Sequence, residues 1–146
     1  MKKLITSAIL SVLIATSSFA TEKDKVNHFA TANFSQEFKY VKNVTWTSTE
    51  NYVKASFVLN DKRMEALYDH EGNKIATCSA ISIDDLPTNA KRVFAKKYAD
   101  YTVNEAIQAE GADETSYYIS AETNEQSLLL KVSSGGQVLV LKNDKK

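Results

Sequence analysis

The sequence predicts an α+β fold: tandem α-β4 repeats, an antiparallel sheet with helices packed on one face. Three observations carry that expectation. Two stretches repeat apolar residues at three- and four-residue steps, as one face of a helix does. Each is followed by four short segments in which apolar and polar residues alternate, as they do on half-buried strands. The two halves also align at a constant offset of 64 residues with no gap, so that Asn60 matches Asn124 and Gly72 matches Gly136.

The elements follow in order. Met1, Lys2 and Lys3 form a short basic start, Leu4 to Ala15 is apolar, and Ser18 and Ala20 place small residues before a cleavage site. That is the layout of a secretory signal peptide over residues 1–20. The apolar run is too short for a membrane span of about 20 residues, and no Cys follows it to take a lipid anchor. No membrane anchor is expected after cleavage. Two repeats then divide the mature chain into 21–83 and 84–146, within one compact domain.

The first helix is expected from Lys25 to Val41, with Val26, Phe29, Ala30, Phe34, Phe38 and Val41 on its buried face. The second opens at Asp84-Asp85-Leu86-Pro87. An Asp before a helix accepts bonds from free amides, and Pro tolerates the first turn. Leu86, Ala90, Val93, Phe94 and Tyr98 form its stripe. Strands are expected at 43–48, 52–59, 62–69 and 74–81, then at 103–110, 116–123, 126–132 and 137–142, with a frayed tail after that. Asn60-Asp61 and Asn124-Glu125 suit two-residue hairpin turns, because Asn tolerates positive φ. Gly72 and Gly136 suit left-handed turn positions.

Those turns fix the register. Phe57 should face Met64, Ala55 face Ala66, and Val53 face Tyr68. In the second half Ala121 should face Leu128, Ile119 face Leu130, and Tyr117 face Val132. Both triplets are apolar, and a slip of one residue would destroy both. The other face is mixed: Tyr52, Lys54, Arg63 and Glu65 in one half, and Tyr118, Leu129 and Lys131 in the other. It is expected to be left to solvent or a partner. Tyr and Arg there are residue types that dominate protein interfaces.

Composition narrows the chemistry. Without Lys2 and Lys3, 16 basic residues stand against 18 acidic ones, interspersed, which gives no drive toward nucleic acid. Cys78 is the sole cysteine, so no intramolecular disulfide forms. It lies in an alternating apolar segment with no basic group beside it, and reads as a small buried hydrophobe. Only His28 and His70 could serve as imidazole bases, and neither has a nucleophile motif around it. Asp69-His70-Glu71 is the sole candidate for a metal, and reads better as a turn before Gly72. Asp84-Asp85 reads as a helix start rather than a carboxylate pair. Trp46 ends an alternating segment and reads as core. No catalytic residue, cofactor or metal site is expected.

Phe34, Phe38, Val44-Thr45-Trp46, Tyr52 to Phe57, Tyr68-Asp69-His70-Glu71-Gly72 and Asp85-Leu86-Pro87 fall in an order that resembles the PepSY-like group. This group of exported proteins from Gram-negative bacteria of the Bacteroides type is also described as β-lactamase-inhibitor-like. The resemblance covers nearly the whole mature chain and implies tandem α-β repeats, a periplasmic location and no known catalysis. True β-lactamase inhibitor proteins are disulfide-bonded, whereas this chain has one Cys, so inhibition does not carry over. The functional expectation is an exported non-catalytic module that binds another periplasmic protein or peptide through Tyr52, Lys54, Arg63, Glu65, Tyr118, Leu129 and Lys131, as inhibitor or regulator. The alternative is a periplasmic small-ligand or metal-ion sensor, with its pocket between sheet and helices or at the Asp69–Glu71 turn.

Overall fold

The computed structural model describes residues 26–146. The expected signal peptide with its cleavage site, Lys23 and Lys25 lie outside the described residues. Eight antiparallel strands and two α-helices make an α+β fold. The chain divides into two compact units at Thr77/Cys78.

The first unit carries helix α1 (His28–Glu37) and strands β1 (Thr45–Ser48), β2 (Val53–Leu59) and β3 (Lys62–Tyr68), with β4 (Lys74–Ala80) running across the boundary. α1 starts three residues later than its periodicity suggests, because Asn27 caps it. The Asn27 side chain accepts from the Phe29 amide at 2.8 Å and donates to the His70 carbonyl at 2.6 Å. α1 ends early as well. Phe38 leaves helical geometry at φ −113° and ψ 62°, which lets its ring meet Phe34 at 4.9 Å and Phe57 at 4.7 Å. Phe29, expected in the stripe, is 64% exposed. The start of α1 packs here instead of the ring: a Cβ on Gly72 would lie 2.5 Å from Phe29 Cβ and 2.9 Å from the Ala30 backbone nitrogen. Gly72 has φ +93°, a conformation that disfavours every other residue.

The core of this unit lies between α1 and one sheet face. Ala30, Phe34, Ala55, Phe57, Ala66 and Tyr68 are buried in it, with Trp46 and Met64 packed alongside. The β2–β3 register is the expected one, with Val53 opposite Tyr68, Ala55 opposite Ala66 and Phe57 opposite Met64. Asn60 and Asp61 both take positive φ, at 51° and 61°, as their tight hairpin requires.

The second unit holds a short 3-10 turn (Ile83–Asp85), helix α2 (Thr88–Lys97) and strands β5 (Thr102–Gly111), β6 (Thr115–Glu122), β7 (Gln126–Ser133) and β8 (Val138–Lys145). The acidic pair does not cap α2. Asp85 instead accepts from the Ser82 amide at 2.9 Å and closes a capping box around the 3-10 turn, while Pro87 precedes α2 without a side-chain cap. Leu86, Ala90 and Phe94 pack on Ala106, Tyr117, Ile119, Ala121, Leu128, Leu130 and Val132. The β6–β7 register is again as expected.

Two local expectations fail. Neither Asn124 nor Glu125 takes positive φ; among the described residues the non-Gly residues that do are Asn43, Asn60 and Asp61. The Thr123 hydroxyl accepts from the amides of Glu125 and Gln126 and closes that turn another way. The tail is not frayed: β8 runs to Lys145, and the Lys146 ammonium reaches Glu122 at 2.9 Å and the Thr123 carbonyl at 3.0 Å.

Candidate functional site

Side chains alternate faces along a strand, so the registers also define the face away from the helices. In the first unit Lys54 stands opposite Leu67, Ser56 opposite Glu65, and Val58 opposite Arg63. In the second unit Tyr118 stands opposite Lys131 and Ser120 opposite Leu129. Within each unit the expected residues therefore do share this face.

The face is not left open to solvent, and here the expectation is corrected. Tyr52, Lys54, Tyr118 and Leu129 are buried, Glu65 and Lys131 are partly buried, and Arg63 is exposed. The reason is chemical. Leu67 in the first unit is fully buried, and in the second unit Cys78, Ile107 and Ala109 are buried along with Tyr118 and Leu129. In each unit this face thus carries buried apolar side chains beside its charges. Ile107 was not singled out by simple alternation because β5 carries a bulge between Val103 and Glu105. A bulge inverts the parity of the strand beyond it, putting Ala106 opposite Ile119 and Ile107 opposite Tyr118. Adjacent apolar residues at 106 and 107 are the signal that could have revealed it.

The charged members are held in pairs. Lys54 Nζ lies 3.3 Å from Glu65 Oε1, with both side chains largely buried. The Ser56 hydroxyl donates to the same oxygen at 3.4 Å, while Glu65 Oε2 is buried without a hydrogen-bond partner. Such a pair is costly to desolvate and costlier to break. In the second unit Lys131 Nζ lies 2.9 Å from Glu114 Oε1, an exposed carboxylate. Its hydrogen bond and charge hold the Glu114 carboxyl below the usual range. Burial pushes the Tyr118 phenol up to about 12, with Cys78 and Glu114 adding to the shift.

The Asp69–Glu71 turn uses its carboxylate for itself. Asp69 Oδ1 accepts from the amides of Glu71 at 2.9 Å and Asn73 at 2.8 Å, and Oδ2 accepts from the Asn73 side chain at 3.0 Å. Burial would raise its carboxyl, but these bonds outweigh it and hold it low. His70 Nε2 lies 3.1 Å from the Glu50 carbonyl, and His28 is exposed at the start of α1. Cys78 is a buried thiol outside any disulfide. Trp46 packs edge-on to Phe34 at 5.4 Å, in the first core. Among the described residues, no group of three His, Cys, Asp or Glu is placed to hold a metal ion, and no helix is long and apolar enough to cross a membrane.

No protein-family model matches the chain, and no curated protein matches it. Solved structures do share its fold. A protein of Bacteroides eggerthii provisionally assigned to the periplasm superposes with a TM-score of 0.74 at 13% identity, over 82% of this chain and 88% of that one. A DUF2874 family protein of Bacteroides uniformis gives 0.73 at 13% identity, over 82% and 89%. A BLIP-like protein of Bacteroides fragilis gives 0.66 at 18% identity, over 89% of each chain. These likenesses establish a BLIP-like fold; PepSY has no counterpart among them.

Proposed function

We propose that this chain is an exported, non-catalytic binding module that engages another periplasmic protein or peptide through the sheet face opposite its helices, as an inhibitor or regulator. The observation that carries the reading is the division of labour between faces. Each helix packs on one face of its unit, and the face away from it leaves Val58 and Arg63 exposed and Lys131 partly buried. Those accessible side chains join an aliphatic group to charges, a mixture that protein interfaces use, whereas Tyr52, Leu67, Tyr118 and Leu129 are buried. The shared fold with a protein provisionally assigned to the periplasm and with a BLIP-like protein supports the location and the class. We also read the halves as one unit copied in tandem, supported by like registers 64 residues apart.

The test is a pull-down from periplasmic extract, comparing wild type with Arg63→Glu plus Lys131→Glu. A partner retained by the wild type and lost by the variant is expected. Identical partner sets, or none, would remove this face from the reading.

A further inference from the structure

We infer that β1 is a self-complementary edge, along which two copies of this chain pair antiparallel about a two-fold axis at Trp46. The inference goes beyond partner binding through the sheet face and does not rest on it. Three observations carry it.

The first is the edge itself. β1 stands first in the strand order and pairs with β2, from Thr45 opposite Ser56 to Ser48 opposite Val53. The Thr49 amide donates to the Tyr52 carbonyl at 2.9 Å. Hydrogen-bonded pairs alternate along an antiparallel ladder. Thr45, Thr47 and Thr49 therefore turn their main-chain groups to β2, and Val44, Trp46 and Ser48 turn theirs outward. Such a row is a template for another strand.

The second is the lack of guards. Edges are blunted by lysines, by proline or by bulges. β8, last in the order, has Lys142, Lys145 and a register shift opposite Leu129 and Leu130. By contrast, residues 43–49 hold no charge, no Pro and no Gly, and the β1–β2 register is unbroken. Trp46 packs on Phe34 yet is only partly buried. A strand laid along this edge would cover more of it.

The third is charge, which selects the occupant. Lys42 and Glu50 are both exposed and stand four residues to either side of Trp46. Antiparallel pairing of Trp46 with its own copy sets Val44 opposite Ser48 and Lys42 opposite Glu50, at both ends by symmetry. A two-fold contact needs that kind of self-complementarity. Shifting the register by two residues keeps the outward groups in step, but it sets Lys42 opposite Ser48 or Tyr52 and forgoes both ion pairs. In the favoured register the two Trp46 residues exchange main-chain bonds, and each Ser48 amide donates to the other copy's Val44 carbonyl. Asn43, at φ +57°, turns the chain out of the strand and confines the pairing to this short stretch. An interface so small makes a weak dimer, with a dissociation constant on the order of 100 μM.

The experiment is sedimentation equilibrium of the chain from Thr21 to Lys146, from about 10 μM to about 1 mM. The mass should rise from one chain to two and no further, and added salt should move the rise to higher concentration. Hydrogen exchange at the two ends of that range should show new protection at the Trp46 and Ser48 amides and none at Thr45, Thr47 or Thr49. Lys42→Glu and Glu50→Lys should each weaken association at least about tenfold, with an unchanged urea midpoint. An equimolar mixture of those two variants should associate again, because each supplies the charge the other lacks. Ser48→Pro, which removes an outward amide and no bond to β2, should abolish the dimer. A one-chain mass throughout, concentration-dependent protection at other residues, or a mixture that stays monomeric would overturn the inference.

Discussion

The two units each pack one helix on strands but fill their cores differently. The first core is built of rings: Phe34 meets Trp46 at 5.4 Å and Phe57 at 5.0 Å, both edge-on, and Trp46 lies 6.2 Å from Tyr68. The second is aliphatic at its centre, with Ile119, Leu128, Leu130 and Val132, and keeps its stacked Phe94 and Tyr98 nearer the margin. The opposite faces differ in the same manner. At an offset of 64, the buried pair Lys54 and Glu65 corresponds to Tyr118 and Leu129, and Leu67 corresponds to Lys131. Topology and register therefore do not dictate which side chains fill the space. Hydrophobic volume in the right register is enough.

The largest expected effects test the cores. Phe34→Ala removes the ring at the centre of the first cluster and should cost about 3–5 kcal/mol, and Leu130→Ala in the second should cost about 2–5. Urea unfolding checks both, and Trp46, the sole tryptophan, reports the first unit directly. Equal costs would say that ring packing adds nothing over aliphatic burial.

The exchange of a charge pair for apolar residues is a second test. Glu65→Leu alone leaves Lys54 buried and unpaired and should destabilise by about 3–5 kcal/mol. Lys54→Tyr plus Glu65→Leu copies the second unit and should recover most of that loss, by the same urea titration. A double variant no better than the single would show that the two faces are not interchangeable.

The turn glycines come next. Gly72 and Gly136 both hold positive φ, where any other L-residue costs about 1–2 kcal/mol. At Gly136 a new Cβ would come within 3.1 Å of the Asn89 backbone, but at Gly72 it would come within 2.5 Å of Phe29 Cβ and 2.9 Å of the Ala30 amide. Gly72→Ala should therefore lower the thermal midpoint more than Gly136→Ala. The reverse order would mean that α1 yields more easily than α2.

The smallest effect concerns two phenols. Burial is the first cause that pushes Tyr68 up to about 12, with Glu37 adding to it, and Tyr118 is raised likewise. A folded value above the unfolded one, about 10, means stability that is full below pH 10 and lost as pH rises toward 12. Ultraviolet titration should show both ionising late. The Tyr68 hydroxyl is buried without a hydrogen-bond partner, so Tyr68→Phe should change neutral-pH stability by under about 1 kcal/mol and remove one late step.

Strand existence, hairpin register and the helix-facing core were legible because alternation and turn residues agree with each other. Val53–Tyr68 and Tyr117–Val132 needed nothing beyond that. Helix ends were not legible from periodicity, because Asn27 and Phe38 set them through a cap and a ring contact. The far face was read as mixed because Lys54, Arg63, Glu65 and Lys131 are conspicuous in sequence. Its buried apolar side chains include Ile107, whose side of the sheet follows from a bulge, and its Lys54 and Glu65 are paired in space. A pocket lined by Tyr40, Thr45, Val58 and Arg63 joins a loop to three strand ends, and no local pattern encodes that.

The central claim is that the two faces have different work, helix packing on one and partner binding on the other. Site-specific photo-crosslinking in cells tests it most directly, with the reactive group placed at Arg63 or Lys131 on the binding face and at Lys91 or Lys96 on α2. The account predicts a defined adduct with another exported protein from positions 63 and 131 and none from 91 and 96. Adducts from α2 alone, or equally from both sides, would contradict it.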